Sequence, residues 1–331
     1  MIGGLVKAGL TIASPGGRRW LSVLTYHRVL PQPDPLLPGL MDAREFENQV
    51  ATLASSFNVL PLHRAIEALA GGTLPSRAAS ITFDDGYADN HQVALPILKR
   101  YGMHATFFVA SGYLDGGWMW NDGVIEGVRS TACPSIDASD IELGEISLGS
   151  EVLRRKALLR LLSRLKYCPQ RFRDTWTRRF LDRMKVRAPA NLMMTSEQVK
   201  ALSDAGMEIG GHTVMHPILT KIDLPEASRE IREGRDMLHG ITGQPVRLFA
   251  YPNGRPGIDF GPQHVRVVRE LGFEAALATR WGAAQTGDDL FQLPRLASWG
   301  RSERRFQARM GLNILRTRLD LPSPVQWELA N

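Results

Sequence analysis

Cysteine is nearly absent from the chain, and long apolar runs and nucleophile-elbow motifs are missing entirely. Cys133 and Cys168 are the only thiols in 331 residues, too few for a disulfide framework or a thiolate metal cluster. No apolar stretch is long enough to suggest a membrane-spanning helix. The apolar run between Met1 and Pro15 is broken by Lys7. It is shorter than a signal-peptide core and has no charged segment ahead of it, so a cytoplasmic location is expected. No Gly-x-Ser-x-Gly sequence occurs, which removes the serine hydrolases built on that turn. With 44% hydrophobic and 22% charged residues, the composition also excludes collagen, coiled coil and wholesale disorder.

Acidic residues are scarce in one place. The net charge is +6, yet Arg154 to Arg187 holds 13 Lys/Arg against Asp174 and Asp182. The remainder is therefore slightly acidic, and the basic character belongs to a segment. Nucleic-acid binding is not expected, because stacking aromatics are sparse among these arginines. A solvated helix face and attraction to an anionic membrane surface both account for the charge.

Short apolar runs alternate with longer amphipathic ones, the pattern of βα units in a parallel sheet. Strands are expected at Ser22–Tyr26, Ala79–Phe83, Ala105–Ala110, Met207–Gly211, Arg247–Tyr251, Ala275–Thr279 and Gln292–Leu296. Helices are expected at Ala43–Ala54, Asp89–Tyr101, Ser196–Ala205, Leu224–Gly240 and Gln263–Leu271, with Ser196 as an N-cap. Seven strands suit an α/β barrel over residues 20–300. Residues 115–194 interrupt it as a basic, mainly helical insertion with a hairpin at Ile141–Leu148. Leu158, Leu161, Leu162 and Leu165, and likewise Phe172, Trp176 and Phe180, share helix faces there. Residues 301–331 form a C-terminal basic helix and tail, with Phe306, Met310 and Ile314 along one side of Glu303–Leu315. Without the insertion about 250 residues remain, the size of one barrel.

Three strand ends carry chemistry. Ile81-Thr82-Phe83-Asp84-Asp85-Gly86 places two carboxylates where α/β barrels place catalysis. Gly210-Gly211-His212-Thr213-Val214-Met215-His216-Pro217 offers two imidazoles that face the same way if the segment makes a helical turn. One carboxylate and two histidines make a three-ligand metal site with a position left for water. Phe249-Ala250-Tyr251-Pro252-Asn253-Gly254 runs into a loop that can aim backbone N–H groups at an oxyanion, or can be a simple turn. Tyr26-His27, at the end of the first strand, is a weaker signal.

The Asp84-Asp85-Gly86 strand end, the His212-x-x-x-His216 pair and the Tyr251-Pro252-Asn253-Gly254 loop, in this order, resemble the polysaccharide deacetylases of carbohydrate esterase family 4. The resemblance implies a distorted (β/α)7 barrel in the α/β class. It further implies that Asp85, His212 and His216 bind a divalent metal, usually Zn2+, with Asp84 as general base. Two features depart from the usual pattern. Ala250 stands where an arginine is customary, and no Leu-x-His occurs near the C-terminus. Tyr26-His27 instead resembles the permuted arrangement of poly-N-acetylglucosamine deacetylases, which implies His27 as general acid. The family's Asp-Trp motif has no clear match, so the residue tuning His27 is not identified.

Arg295, at the end of the last strand, is expected either to orient Asp84 in place of the missing arginine or to form a salt bridge at the rim. Tyr251 and Asn253 are candidates for the oxyanion, and Trp118 and Trp120 for stacking on sugar rings or for packing within the insertion. The expected reaction removes N-acetyl groups from amino sugars of a polysaccharide or a lipid-linked precursor. A deformylase of a lipid-linked amino sugar and a noncatalytic glycan-binding barrel are the alternatives. The expected partner is the glycan itself, with peripheral contact to an anionic membrane, at its inner face, as a further expectation.

Overall fold

In the computed structural model, which describes residues 20–188, 190–297 and 303–319, six parallel strands form the frame of the sheet. They are β1 (Trp20–Tyr26), β2 (Ala78–Phe83), β3 (Thr106–Val109), β4 (Glu208–Gly211), β5 (Leu248–Ala250) and β6 (Ala275–Leu277). Their spatial order is β6-β5-β4-β3-β2-β1. Leu293 bridges to Leu277 of β6, and β7 (Leu296–Ala297) pairs with Leu24 and Thr25 of β1. The sheet thus returns on itself as a (β/α)7 barrel-like fold. Gln292 belongs to a 3-10 turn rather than to the strand expected over Gln292–Leu296. Pro294, having no N–H to donate, interrupts the ladder between Leu293 and Leu296.

Side-chain alternation sorts the strands into two faces. Leu21, Val23, Phe108, Leu248, Leu277 and Leu293 come from strands all round the sheet and meet in one cluster, which fills the barrel. Leu24, Phe83, Phe107, Val109 and Phe249 pack outward against the helices. The outer layer comprises α1 (Ala43–Ser56) and α3 (Leu95–Arg100), the latter preceded by a π-helical turn at Asn90–Ala94, whereas α2 (Leu62–Ala70) packs Leu62, Ala65, Ile66 and Leu69 onto the cluster that fills the barrel. The segment interrupting the repeat carries α4 (Trp120–Ser130), α5 (Glu151–Leu165) and α6 (Gln170–Met184). The outer layer resumes with α7 (Ser196–Asp204), α8 (Leu224–Thr242) and α9 (Pro262–Glu270), and ends with α10 (Glu303–Arg318).

Several boundaries differ from the sequence reading. Helices α2 and α4 were not anticipated, since α2 is short and α4 contains Gly123 and Gly127, which weaken helix propensity. Thr195, not Ser196, caps α7, and it forms a reciprocal capping box with Gln198. The hairpin pairs Ser135–Asp137 with Glu145–Ser147, so Ile141 lies in its connection and not in a strand. Within the insertion, Leu158, Leu161 and Leu165 pack on Trp176, Phe180 and Met184 and on Val124 and Val128 of α4. Phe172 is 42% exposed, outside that core. In α10, Phe306, Met310 and Ile314 are buried as expected. The run Met1–Pro15 and the tail beyond residue 319 lie outside the described residues.

Candidate active site

The site gathers at the C-terminal ends of β1, β2, β4 and β5. Along β2 the even-numbered side chains point inward, which sends Asp84 into the mouth of the barrel. Its neighbour would normally face the other way. Asp85 adopts φ +75° and Gly86 φ +93°, and this left-handed turn brings the second carboxylate to the same mouth. Asp84 is buried and bonded to Arg295, which donates from Nη1 to Asp84 Oδ1 at 2.7 Å and to Thr25 Oγ1 at 3.2 Å. Burial by itself would raise the Asp84 pKa. The charge of Arg295, with His212 and His27 behind it, outweighs burial and holds the carboxyl below its ordinary value.

His212 and His216 are brought together by a loop, not by the helical turn the spacing suggested. Thr213 and His216 take φ +65° and +49°, and Thr213 Oγ1 accepts the His216 N–H at 3.0 Å. Helix α8 clamps this loop from outside. Glu230 accepts the N–H groups of Val214 and Met215 at 3.0 and 2.8 Å. Gly234 lets the helix approach so closely that a Cβ there would lie 2.8 Å from the Thr213 carbonyl group. From the other side, Tyr113 and Gln170 both donate to the Met215 carbonyl, at 3.0 and 3.3 Å. Neither Glu230 nor Gly234 was legible in the sequence, because each acts across 15 or more residues by packing.

The three donors fit a divalent cation. Their ligating atoms all lie within 4.8 Å of one another. Asp85 Oδ1 stands 3.5 Å from His212 Nε2 and 3.4 Å from His216 Nε2. The oxygen is buried without a hydrogen-bond partner, so it is aimed into the group and unsatisfied. His212 Nδ1 lies 2.7 Å from the Ala250 carbonyl. That contact fixes the proton on Nδ1 and turns Nε2 toward the cluster, the usual support of a metal-ligating histidine. Burial lowers the His216 pKa to about 4 against the pull of Asp85, which keeps this imidazole neutral and able to ligate. Asp85 is held well below the carboxylate range, because the facing imidazoles outweigh its burial.

His27 lies close enough to both carboxylates to lower their pKa values, and Asn90, at the start of the π turn, donates to its carbonyl at 2.8 Å. The next residue, Arg28, pairs with buried Asp89 at 2.8 Å and lies over the Tyr87 ring. Tyr87 in turn donates to Asp122 on α4 at 3.0 Å. This chain of polar contacts joins His27, the Asp84-Asp85 loop and the insertion. Sequence reasoning missed it; the one available signal was the polar run Tyr87-Ala88-Asp89-Asn90 directly after the glycine.

Other anticipated residues have different surroundings. Tyr251 is fully buried, its ring stacked on Phe260 at 3.7 Å and its hydroxyl donating to the Phe291 carbonyl at 3.1 Å. Its side chain is a core element and not a substrate contact, a correction that follows from its satisfied hydroxyl. Asn253 keeps its place in the loop at φ +58°, half-buried. Trp120 is half-buried against the insertion core with the Arg173 guanidinium 5.1 Å above its ring. Trp118 covers Gly123 with the edge of its indole. Packing accounts for these contacts of both tryptophans.

The chain matches the polysaccharide deacetylase family over residues 71–136 and 174–276, just over half its length, and the gap falls inside the insertion. It is 22% identical over 278 residues to YxkH of Bacillus subtilis, named as a polysaccharide deacetylase, covering 83% of this chain and 70% of the relative. The fold is shared with the deacetylase PplD of Streptococcus pyogenes, solved with acetate, at TM-score 0.59 and 18% identity over 93% of this chain and all of that one. IcaB from Ammonifex degensii aligns equally well, at TM-score 0.59 and 22% identity over 88% of this chain and 97% of that one. Family match, barrel topology and strand-end carboxylates agree, and the chain belongs to the polysaccharide deacetylase family of hydrolases.

Proposed function

We propose that the protein is a metal-dependent N-deacetylase acting on amino sugars of a polysaccharide or a lipid-linked glycan precursor. The observation that carries this reading is the unsatisfied, buried Asp85 Oδ1 facing two imidazoles, with a second carboxylate beside it held ionised by Arg295. Asp85, His212 and His216 would hold the cation, Zn2+ being the best match to a two-nitrogen, one-oxygen set. When bound, the cation would polarise the acyl oxygen and make a water acidic.

The rest follows from the chain's own groups. Asp84 accepts the proton of the attacking water, and Arg295 keeps that carboxylate ionised and aimed inward. The His27 imidazole, on the neighbouring strand end, hands a proton to the departing sugar amine. The Asn253 N–H is the group of that loop assigned to help hold the oxyanion, since the N–H groups of Tyr251, Gly254 and Arg255 are committed to Leu277, Pro252 and Asp259. The test is acetate release from N-acetylglucosamine oligomers, with bound metal measured in parallel. Asp84→Asn is expected to retain metal and lose turnover by roughly 10²-fold or more, and His27→Ala to behave alike. Wild-type rates in either variant overturn the role of that residue.

A lipid-linked substrate met at the inner face of an anionic membrane is favoured by one surface. Val152, Leu153, Leu159 and Phe172 are exposed on α5 and α6 among the arginines of the basic segment, a combination suited to an anionic interface. Among the described residues, no helix is long and apolar enough to cross a membrane. Flotation with vesicles containing anionic lipid is expected to carry the protein upward. Equal behaviour with neutral vesicles removes the membrane from the proposal.

A further inference from the structure

One buried charge in the insertion has no role in the chemistry above. Arg173, on the inner face of α6, is 5% exposed. Its Nη1 donates to the Lys166 carbonyl at 2.9 Å, its Nε is buried without a partner, and it forms no ion pair with a carboxylate among the described residues. The face of Trp120 provides its main further contact. Withdrawing a guanidinium from water without an ion-paired carboxylate costs several kcal/mol, and burial lowers the Arg173 pKa although the charge of neighbouring Asp174 opposes it. Most of its N–H donors remain unused.

The position of this charge is informative. Gln170, one turn earlier on α6, bonds to the Met215 carbonyl beside His216, so this helix is seated on the loop that carries the two histidines. The Arg173 charge is felt at His216 and at Tyr113, whose hydroxyl holds the same carbonyl. A cation with free donors therefore stands next to the candidate metal cluster without belonging to it.

We propose that Arg173 receives a phosphoryl group carried by the amino-sugar substrate and holds it beside the Asp85–His212–His216 cluster. This inference rests on the reading of that cluster as the deacetylation centre. A planar guanidinium suits paired oxygens of an oxyanion, and the 13 basic residues from Arg154 to Arg187 favour a group of higher charge than a carboxylate. The insertion then selects the substrate, while the barrel performs the reaction.

The test compares binding of N-acetylglucosamine 1-phosphate and N-acetylglucosamine to the metal-loaded, full-length protein. The wild type is expected to prefer the phosphorylated sugar at least tenfold, less so at high salt. Arg173→Gln is expected to reduce that ratio to within twofold, and Arg173→Lys to give an intermediate value. Far-UV circular dichroism and thermal unfolding check that each variant folds. If Arg173→Gln does not fold, the wild-type ratio and the lysine variant decide. No preference in the wild type overturns the inference. So does a preference that survives in Arg173→Gln, because the phosphate then sits on the metal. Acetate release from neutral oligomers separates the two ideas: release without a phosphate preference removes Arg173 and keeps the deacetylase. An Arg173-dependent preference without any acetate release keeps the anion site and removes the deacetylase.

Discussion

At the scale of single residues, the protein buries several charged side chains, and most of them are held by a partner. Asp122 is the clearest case outside the ligand set. Its carboxyl accepts from Tyr87 Oη and from the Met119 N–H, and burial pushes its pKa up to about 7, with Arg28 opposing and Asp85 adding to the rise. A folded-state pKa above the ordinary carboxylate value means that the native state binds a proton which the unfolded chain releases. Stability is then highest below about pH 4, falls as pH rises toward 7, and is level above. The fall is on the order of 4 kcal/mol for this group. Asn presents one acceptor to Met119 and one donor to the Tyr87 oxygen, mimicking the protonated acid. Asp122→Asn is therefore expected to remove this decline, as read by urea unfolding at pH 4.5 and pH 8. An unchanged pH slope refutes the assignment.

The residues legible in sequence were those whose chemistry is declared locally: two adjacent carboxylates at a strand end, and two histidines four apart. Arg295 was also legible as a cation at the last strand end, and it does bond to Asp84. Asp122 and Tyr87 were not, because 35 residues separate them and nothing in either neighbourhood points to the other. Tyr251 misled for the opposite reason. Its loop sequence is informative, yet the strand that precedes it aims the ring into the core.

At the scale of elements, helix α8 sets the shape of the loop carrying His212 and His216 from behind. Gly234 is interior to that helix, where alanine is intrinsically favoured by about 1 kcal/mol. Here the preference is reversed, because a Cβ would meet the Thr213 backbone at 2.8 Å and neither rigid segment can yield cheaply. Gly234→Ala is expected to destabilise by roughly 1–3 kcal/mol and to weaken metal binding, since His212 and His216 flank the displaced residue. Calorimetric titration with Zn2+ and thermal unfolding check both effects; a stabilised variant with unaltered affinity contradicts the close approach. Elements themselves were read well wherever period-2 or period-3.6 patterning was long. Where a boundary rested on one residue among similar neighbours, as with Thr195 and Ser196, or on glycines tolerated for packing, as in α4, local propensity carried too little information. Gly127 shows why. Its missing Cβ makes room for the Phe180 ring, a helix-to-helix requirement invisible along the chain.

At the scale of the whole molecule, the donor set joins parts of the chain more than a hundred residues apart, and so exists only when these strands are assembled in the folded sheet. Asp85 follows β2, while His212 and His216 follow β4, and β3 lies between these strands. An ion bound by all three therefore binds the folded state and not the unfolded one, and its binding energy becomes folding energy. At a thousandfold excess over its dissociation constant, this linkage contributes about 4 kcal/mol. For a chain of this length the unfolding entropy converts that to a rise of about 6 °C in Tm. His216, with its pKa lowered to about 4, needs no deprotonation near neutral pH, so this ligand adds no proton release to binding there. Asp85→Asn removes the only anionic ligand of the set and is expected to cut the metal-induced increment to near zero, whatever it does to the baseline Tm. The comparison is therefore between increments, measured by calorimetry with a chelator, without it, and with added Zn2+. An equal increment in the wild type and in Asp85→Asn would place the ion elsewhere and separate the buried Asp85 oxygen from metal binding.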